Sequence, residues 1–165
     1  MITVAVLTIS DSVVAGTRED LSGAALRGRI ESLGWTVASQ DVVSDDADLI
    51  SQRLRDWADV DHIPVVFTTG GTGVAPRDVT PEATRAVIDR EIPGLSEVMR
   101  MEGRKSTRFA VLSRGVAGSR GTTLIVNLPG SPKGAVESLD AVADLIPHAV
   151  DLLHGKTQHT SSTEP

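Results

Sequence analysis

Apolar, β-branched runs alternate along this chain with stretches whose apolar residues recur at helical spacing, and that alternation is its most constraining feature. Thr3–Ile9 (TVAVLTI), Thr36–Val43, Pro64–Thr69 (PVVFTT) and Thr122–Asn127 (TTLIVN) read as strands. The first is continuous enough to be covered on both faces. Ala25, Leu26, Ile30 and Leu33 fall on one helical stripe, with Gly34 placed as a C′ glycine. Leu49, Ile50, Leu54 and Trp57 form another stripe. Thr80-Pro81-Glu82 opens a helix with threonine as N-cap and proline at its first position, and Pro93–Gly103 reads as a short helix. Ser131-Pro132 opens the last one, whose stripe runs Ala135, Leu139, Val142, Ile146, Ala149 and Leu153. Pro147 lies inside that stripe and is expected to kink it. Phe109–Ser113 reads as a further strand, and Gly115–Gly121 as a turn or hairpin.

Strands alternating with helices imply an α/β domain with a mostly parallel sheet. A length of 165 residues suits one domain. Residues 1–155 are assigned to it, and residues 156–165, KTQHTSSTEP, to a disordered tail too polar to bury a core. In a parallel sheet, right-handed crossovers put every strand's C-terminal end on one edge, and ligands bind beyond that edge. The residues expected there are Ser10-Asp11-Ser12, Ser44-Asp45-Asp46, Thr69–Gly73 and Asn127–Ser131. They are hydroxyls, carboxylates and glycines, the groups that hold phosphate and a hard metal ion.

Composition narrows the chemistry. The chain has no cysteine, which excludes disulfides, zinc–thiolate sites and thiol nucleophiles and fits a cytoplasmic protein. No apolar run approaches the ~18 residues of a membrane span, and Met1-Ile2-Thr3 lacks a basic leader, so neither a membrane location nor secretion is expected. The four histidines are scattered, without HxH or HExxH spacing, which argues against zinc. No serine sits in a G-x-S-x-G elbow. Net charge is −6, but unevenly spread: Asp41–Asp61 carries seven acids and two bases, and Arg100–Arg120 six bases and one acid. The basic segment reads either as a solvated face or as a holder for a small phosphorylated ligand. With a pI of 5.1 and no aromatic platform, nucleic acid is not an expected partner.

Thr69-Gly70-Gly71-Thr72-Gly73 is the sharpest local signal. Its glycines allow positive φ and close approach, so its amides can form an anion nest; a plain strand-to-helix turn is the other reading. It matches neither the Walker nor the dinucleotide fingerprint. Pro129-Gly130-Ser131-Pro132-Lys133 places a helix N-terminus at a strand end, with Ser131 as cap and Lys133 in the first turn, where a lysine calls for an anion. Asp78 follows the glycine loop and is not needed as a cap if Thr80 fills that role. A carboxylate beside a phosphate site suits a bridging Mg²⁺, while an Asx-turn bond is its structural alternative. Either Asp45 or Asp46 can cap the helix that starts near Ala47, and Asp11 reads as a ligand or as turn chemistry.

TTGGTGVAPRDVTPEAT at Thr68–Thr84 together with NLPGSPKG at Asn127–Gly134 closely resembles the molybdenum-cofactor biosynthesis family. This is the Mog/MoaB group of molybdopterin adenylyltransferases and the related domains of gephyrin. The opening strand into Ser10-Asp11-Ser12 and the Val42–Asp46 segment match as well, so the resemblance covers about Ile2 to Leu153. It implies a three-layer α/β/α domain with a mostly parallel sheet, the molybdopterin-binding fold, usually trimeric and sometimes hexameric. It implies transfer of AMP from MgATP to the terminal phosphate of molybdopterin, with release of pyrophosphate. A molybdate-insertion enzyme would then be a partner. Carried over, Thr69, Gly70, Gly71, Thr72 and Gly73 cradle phosphate, with Ser10, Asp11, Pro129, Gly130, Ser131 and Lys133 around it. Asp45 and Asp78 are the catalytic, metal-holding carboxylates, and Ser113 and Arg114 match a Ser-Arg pair near the pterin. One departure is plain: enzyme members often carry a tyrosine after the first strand, where this chain has Gly16-Thr17-Arg18-Glu19-Asp20.

The chemistry agrees with that expectation. Both reactants are anions, so amides, arginines and a metal ion answer the main barrier, and no covalent nucleophile is needed. Two rival readings are a non-catalytic binding or scaffold module, as in gephyrin, and a nucleotide pyrophosphatase on the same fold, as in competence-damage-type proteins.

Overall fold

The computed structural model describes residues 1–157. Six strands form one sheet in the order β2-β1-β3-β6-β5-β4. They are β1 (Thr3–Ile9), β2 (Thr36–Val43), β3 (Val65–Thr69), β4 (Arg90–Glu91), β5 (Ala117–Arg120) and β6 (Thr123–Leu128). β1 pairs in parallel with both β2 and β3, β3 pairs in parallel with β6, and β5 runs antiparallel between β4 and β6. The mostly parallel sheet and three layers expected of the sequence are therefore present.

Helices cover both faces: α1 (Asp11–Val14), α2 (Leu21–Ser32), α3 (Ala47–Arg55), α4 (Thr80–Arg85), α5 (Pro93–Arg104), α6 (Pro132–Val142) and α7 (Ile146–Leu153). Side chains alternate across a strand, so β1 feeds two cores. Val4 and Val6 join Leu26, Ile30, Met99, Leu139 and Ile146 on the face of α2, α5, α6 and α7. Ala5, Leu7 and Ile9 join Ile50, Leu54, Trp57 and Ala83 on the face of α3 and α4. Burial on both faces explains the unbroken apolar runs of β1, β3 and β6, whereas β2, at the edge, alternates exposed and half-buried residues. No helix among the described residues is long and apolar enough to cross a membrane.

Most elements fall where the sequence places them, with some differences, among them the short β4 and α1. Phe109–Ser113 is not a strand: Arg108–Leu112 forms a 3₁₀ turn capped by the Thr107 hydroxyl, and Phe109 stands exposed. The segment pairs with no strand of the sheet, and Phe109, Val111 and Leu112 stand exposed, so neither a ladder nor a core holds it extended. Thr80 is not the cap of α4 but its first residue, and its buried hydroxyl donates to the Gly70 carbonyl at 2.9 Å. Asn127, read both as the last residue of the strand and as the first of the edge loop, lies within β6, buried, its amide group donating to the Thr68 and Thr84 hydroxyls at 3.0 Å each. Leu49 of the α3 stripe faces water. Pro147 does interrupt the last helical stripe: α6 ends at Val142, a 3₁₀ turn spans Ala143–Leu145, and α7 restarts with proline in its first turn. Gly34, at φ +80°, ends α2 as a C′ glycine. Most of the expected tail lies outside the described residues. The Lys156 amide, at its start, still donates to the Asp151 carbonyl at 2.9 Å.

Candidate functional site

The parallel register brings four strand ends to one edge. Ile9 pairs with Val43, Thr8 with Thr69, and Thr69 with Leu128. The glycine loop leaves β3 at the centre of that edge. Gly70 and Gly71 have φ of +102° and +67°, a region that L residues avoid. A Cβ on Gly70 would also run into the Ile9 carbonyl, and one on Gly71 into the Thr80 hydroxyl. Glycine is thus required at both positions by conformation and by space.

The loop is tied down on all sides. The Gly70 amide donates to the Leu128 carbonyl (3.2 Å), the Thr80 amide to Gly71 (3.1 Å), and the Thr69 hydroxyl to Pro129 (2.7 Å). Arg114 does most of the remaining work. Its guanidinium donates to the carbonyls of Gly73 (2.7 Å) and Asp78 (2.8 Å) and pairs with Glu82, and its amide reaches the Thr72 carbonyl (2.7 Å). The pair with Arg114 holds the Glu82 carboxyl below its ordinary range. What stays unpaired is informative: the amides of Gly71, Thr72 and Gly73 donate to nothing among the described residues, nor do those of Gly130 and Ser131. Five open donors at a helix start and a glycine turn form an anion nest.

The carboxylates divide by role. Asp46 is the cap of α3, accepting from the Asp48 and Leu49 amides at 3.0 Å, which leaves Asp45 free of that duty. Asp45 and Asp11 instead clasp each other reciprocally: the Asp11 amide donates to Asp45 (2.9 Å) and the Asp45 amide to Asp11 (3.0 Å). Arg77 grips Asp11 with two hydrogen bonds, 2.7 and 2.9 Å, and holds its carboxyl below the ordinary value. Burial pushes the Asp45 carboxyl up, and the negative charges of Asp11 and Asp78 add to that push. Asp78 accepts from the Ala75 amide at 2.9 Å, a bond that reaches back three residues and is not the forward Asx-turn bond expected of it.

Two cavities meet at the loop. The larger, about 600 Å³, is the more polar of the two and is bordered by Ser10, Asp11, Asp20, Asp45 and Gly70. The other, about 500 Å³, has apolar walls from Met99, Phe109, Ala110 and Leu112, with Ser113 beside them. Gly71, Asp78, Gly130 and Ser131 border both. The site can therefore hold two ligands whose anionic ends meet at the open amides. Among the residues singled out in the sequence, Ser10 and Ser131 also cap α1 and α6. Thr69 borders the polar cavity, Thr72 and Gly73 the apolar one, and Pro129 the apolar one. Lys133 borders neither; its ammonium lies 3.7 Å from Glu137 in water. Sequence reasoning passed over Arg77, Asp20, which accepts from the Thr8 hydroxyl at 2.9 Å, and the stitching role of Asn127. Arg77 and Asn127 lie inside the two quoted motifs, but only contacts across the sheet reveal what they hold.

The family model described as a probable molybdopterin binding domain matches residues 5–148. The chain belongs to this molybdopterin-binding domain family. The molybdopterin adenylyltransferase of Helicobacter pylori strain J99 is 44% identical over 154 residues, which cover 92% of this chain and 88% of that protein. The molybdenum cofactor synthesis protein cinnamon of Drosophila melanogaster is 48% identical over 153 residues; these are 92% of this chain but only 26% of cinnamon. The chain thus spans about a quarter of that relative. Among solved structures, the molybdopterin biosynthesis enzyme MoaB of Thermus thermophilus superposes with a TM-score of 0.89 at 51% identity, over 94% of this chain and 98% of that one. The molybdopterin-binding fold expected from the motifs is the fold observed.

Proposed function

We propose that this molybdopterin-binding domain is a molybdopterin adenylyltransferase acting in molybdenum cofactor biosynthesis. The observation that carries the reading is the pair of cavities sharing one anion nest and one carboxylate, Asp78, which is the geometry a two-substrate phosphate reaction needs. The name of the Helicobacter pylori relative, which this chain matches almost end to end, supports the same reaction.

The apolar cavity suits the flat pterin, lying between Met99 and Phe109, with its terminal phosphate on the Gly71–Gly73 and Gly130–Ser131 amides. The polar cavity suits ATP. A phosphate oxygen of molybdopterin attacks the α-phosphorus, a P–O bond forms, and the bond to the β-phosphate breaks to release pyrophosphate. The nest amides neutralise the charge brought together, and holding the two phosphates in line is the main catalytic work. The attacking oxygen is already ionised, so no general base is required.

Asp45 and Asp78 are the residues that would hold Mg²⁺. The fit rests on donor chemistry: two carboxylates feel each other's charge beside an open anion nest, and burial already disfavours the ionised Asp45. No group of three or more ligating side chains exists among the described residues. That suits an ion that arrives with nucleotide phosphates and needs only one or two protein carboxylates. When bound, the ion would offset charge on the departing pyrophosphate.

We also take the protein to be cytoplasmic and homotrimeric, as the family resemblance implies. The exposed apolar group Val111, Leu112 and Met101 beside the 3₁₀ turn supports an assembled state. Sedimentation velocity reads the oligomer directly. The activity test is Mg²⁺-dependent pyrophosphate release on mixing ATP and molybdopterin. Release without the pterin would instead indicate a pyrophosphatase, and no release with pterin bound would indicate a scaffold.

A further inference from the structure

The basic segment Arg100–Arg120 contains one half-buried cation that has no counter-charge among the described residues. Lys105 pairs with Glu102, Arg114 with Glu82, and Arg120 with Asp59, while Arg104 and Arg108 are exposed to water. Arg100 is half-buried, and no carboxylate among the described residues lies within ion-pair distance of it. Only its Nη1 is engaged, donating to the carbonyls of Gly115 (3.1 Å) and Ser113 (3.4 Å); Nε and Nη2 donate to nothing described. One helical turn earlier on α5, Ser96 is 4% exposed and its hydroxyl has no hydrogen-bond partner.

Both residues border a third cavity of about 350 Å³; they also line the apolar cavity, and Ser113 and Gly115 border the two cavities as well. The other charged groups around it cancel. Arg85 lies 3.6 Å from Glu91, and Arg114 is neutralised by Glu82. A half-desolvated guanidinium without a partner is costly, and so is a buried hydroxyl without one. A ligand that supplies several acceptor oxygens and negative charge answers both costs, and the planar guanidinium fork matches it in shape.

We propose that this third cavity is a binding site for a small tetrahedral oxyanion of the phosphate class, held by the fork of Arg100 and the hydroxyl of Ser96. The cavity shares no residue with the open amides of the anion nest, although Ser96, Arg100 and Ser113 also border the apolar cavity. Phosphate, sulfate and molybdate share the required chemistry.

The test is calorimetric titration of the full chain with inorganic phosphate at fixed ionic strength, then with sulfate, molybdate and glycerol phosphate. Parent protein is compared with Ser96→Ala, Arg100→Gln and Arg100→Lys, each with a melting curve. Glutamine removes the charge while keeping a polar side chain on a shorter stem. The expected result is phosphate binding weakened about tenfold or more in Arg100→Gln, in line with the loss of a hydrogen bond to a charged group, less in Arg100→Lys, and several-fold in Ser96→Ala. Ser96→Ala should melt no lower than the parent without phosphate, because its hydroxyl bonds nothing there. Loss of affinity for the three inorganic ions alone identifies a free oxyanion; equal loss for glycerol phosphate identifies the phosphoryl end of a larger molecule and overturns the free-ion assignment. Phosphate bound equally by the parent and all three variants overturns the site, as does a large fall in melting temperature for Ser96→Ala. If Arg100→Gln fails to fold, Arg100→Lys and Ser96→Ala decide the matter by the same criteria.

Discussion

Asp78 combines a turn bond with a place on the border of both large cavities, and the two roles separate under substitution. Asparagine keeps the size and can still accept from the Ala75 amide, but it has no charge to hold Mg²⁺. Asp78→Asn is therefore expected to melt like the parent and to lose most Mg²⁺-dependent pyrophosphate release. Near-parental rates would take Asp78 out of the mechanism. Asp45→Asn adds a sign test. Because burial raises its folded pKa, ionised Asp45 opposes folding: its contribution is fully present below the unfolded pKa and lost as pH rises through the folded one. At pH 7 the asparagine variant should melt at or above the parent temperature while transfer falls. A lower melting temperature would mean that the Asp11–Asp45 clasp outweighs the desolvation.

Elements show where stability and activity part company. Asp46 caps α3 and borders neither large cavity, so Asp46→Ala should cost about 1 kcal/mol, roughly 2–4 °C in melting temperature for a chain of this size, with transfer rates unchanged. Asp46→Asn should restore the loss, since asparagine caps as well as aspartate. Arg114 behaves differently because it ties the chain just after the 3₁₀ turn to the glycine loop and α4 through Gly73, Asp78 and Glu82. Arg114→Met keeps the aliphatic stem but frees two loop carbonyls. It is expected to lower both the melting temperature and the transfer rate, and to raise hydrogen exchange across residues 71–78. Lost activity with unchanged loop protection would place Arg114 on a ligand instead.

For the whole molecule, acid is the sensitive direction. Asp11, Asp59 and Glu82 have carboxyls held below their ordinary values by Arg77, Arg120 and Arg114. Their stabilisation is present above the unfolded pKa, about 4, and disappears as pH falls through the lower folded values. These pairs are largely solvent-exposed, so salt screens them and each contributes modestly. Melting temperature should thus decline below about pH 4, more shallowly in high salt. A decline beginning near neutrality would point to a buried group outside this set.

Local pattern was enough for the fold because both sheet faces are covered. Unbroken apolar strands such as TVAVLTI and PVVFTT, helical stripes such as Ala135 to Ile146, and the Gly34 and Pro147 breaks each act within a few residues of themselves. The glycine loop and the Ser131 turn were legible for the same reason, since positive φ and capping are local demands. The failures share a cause. Thr80 looks like a cap until Gly70 is set beside it, Phe109–Ser113 looks like a strand until no ladder is found for it, and Asp45 and Asp46 are equivalent until Asp11 approaches one of them. Arg114 reads as a ligand contact in a motif, yet its partners lie 32 to 41 residues away along the chain. The sequence by itself determined which segments become strands and helices and which edge carries the chemistry, because backbone preference and apolar periodicity are short-ranged. Only the tertiary structure decided which polar groups are used up in holding the loop and which remain open to a ligand, because hydrogen-bond partners and desolvation are set by segments distant in sequence.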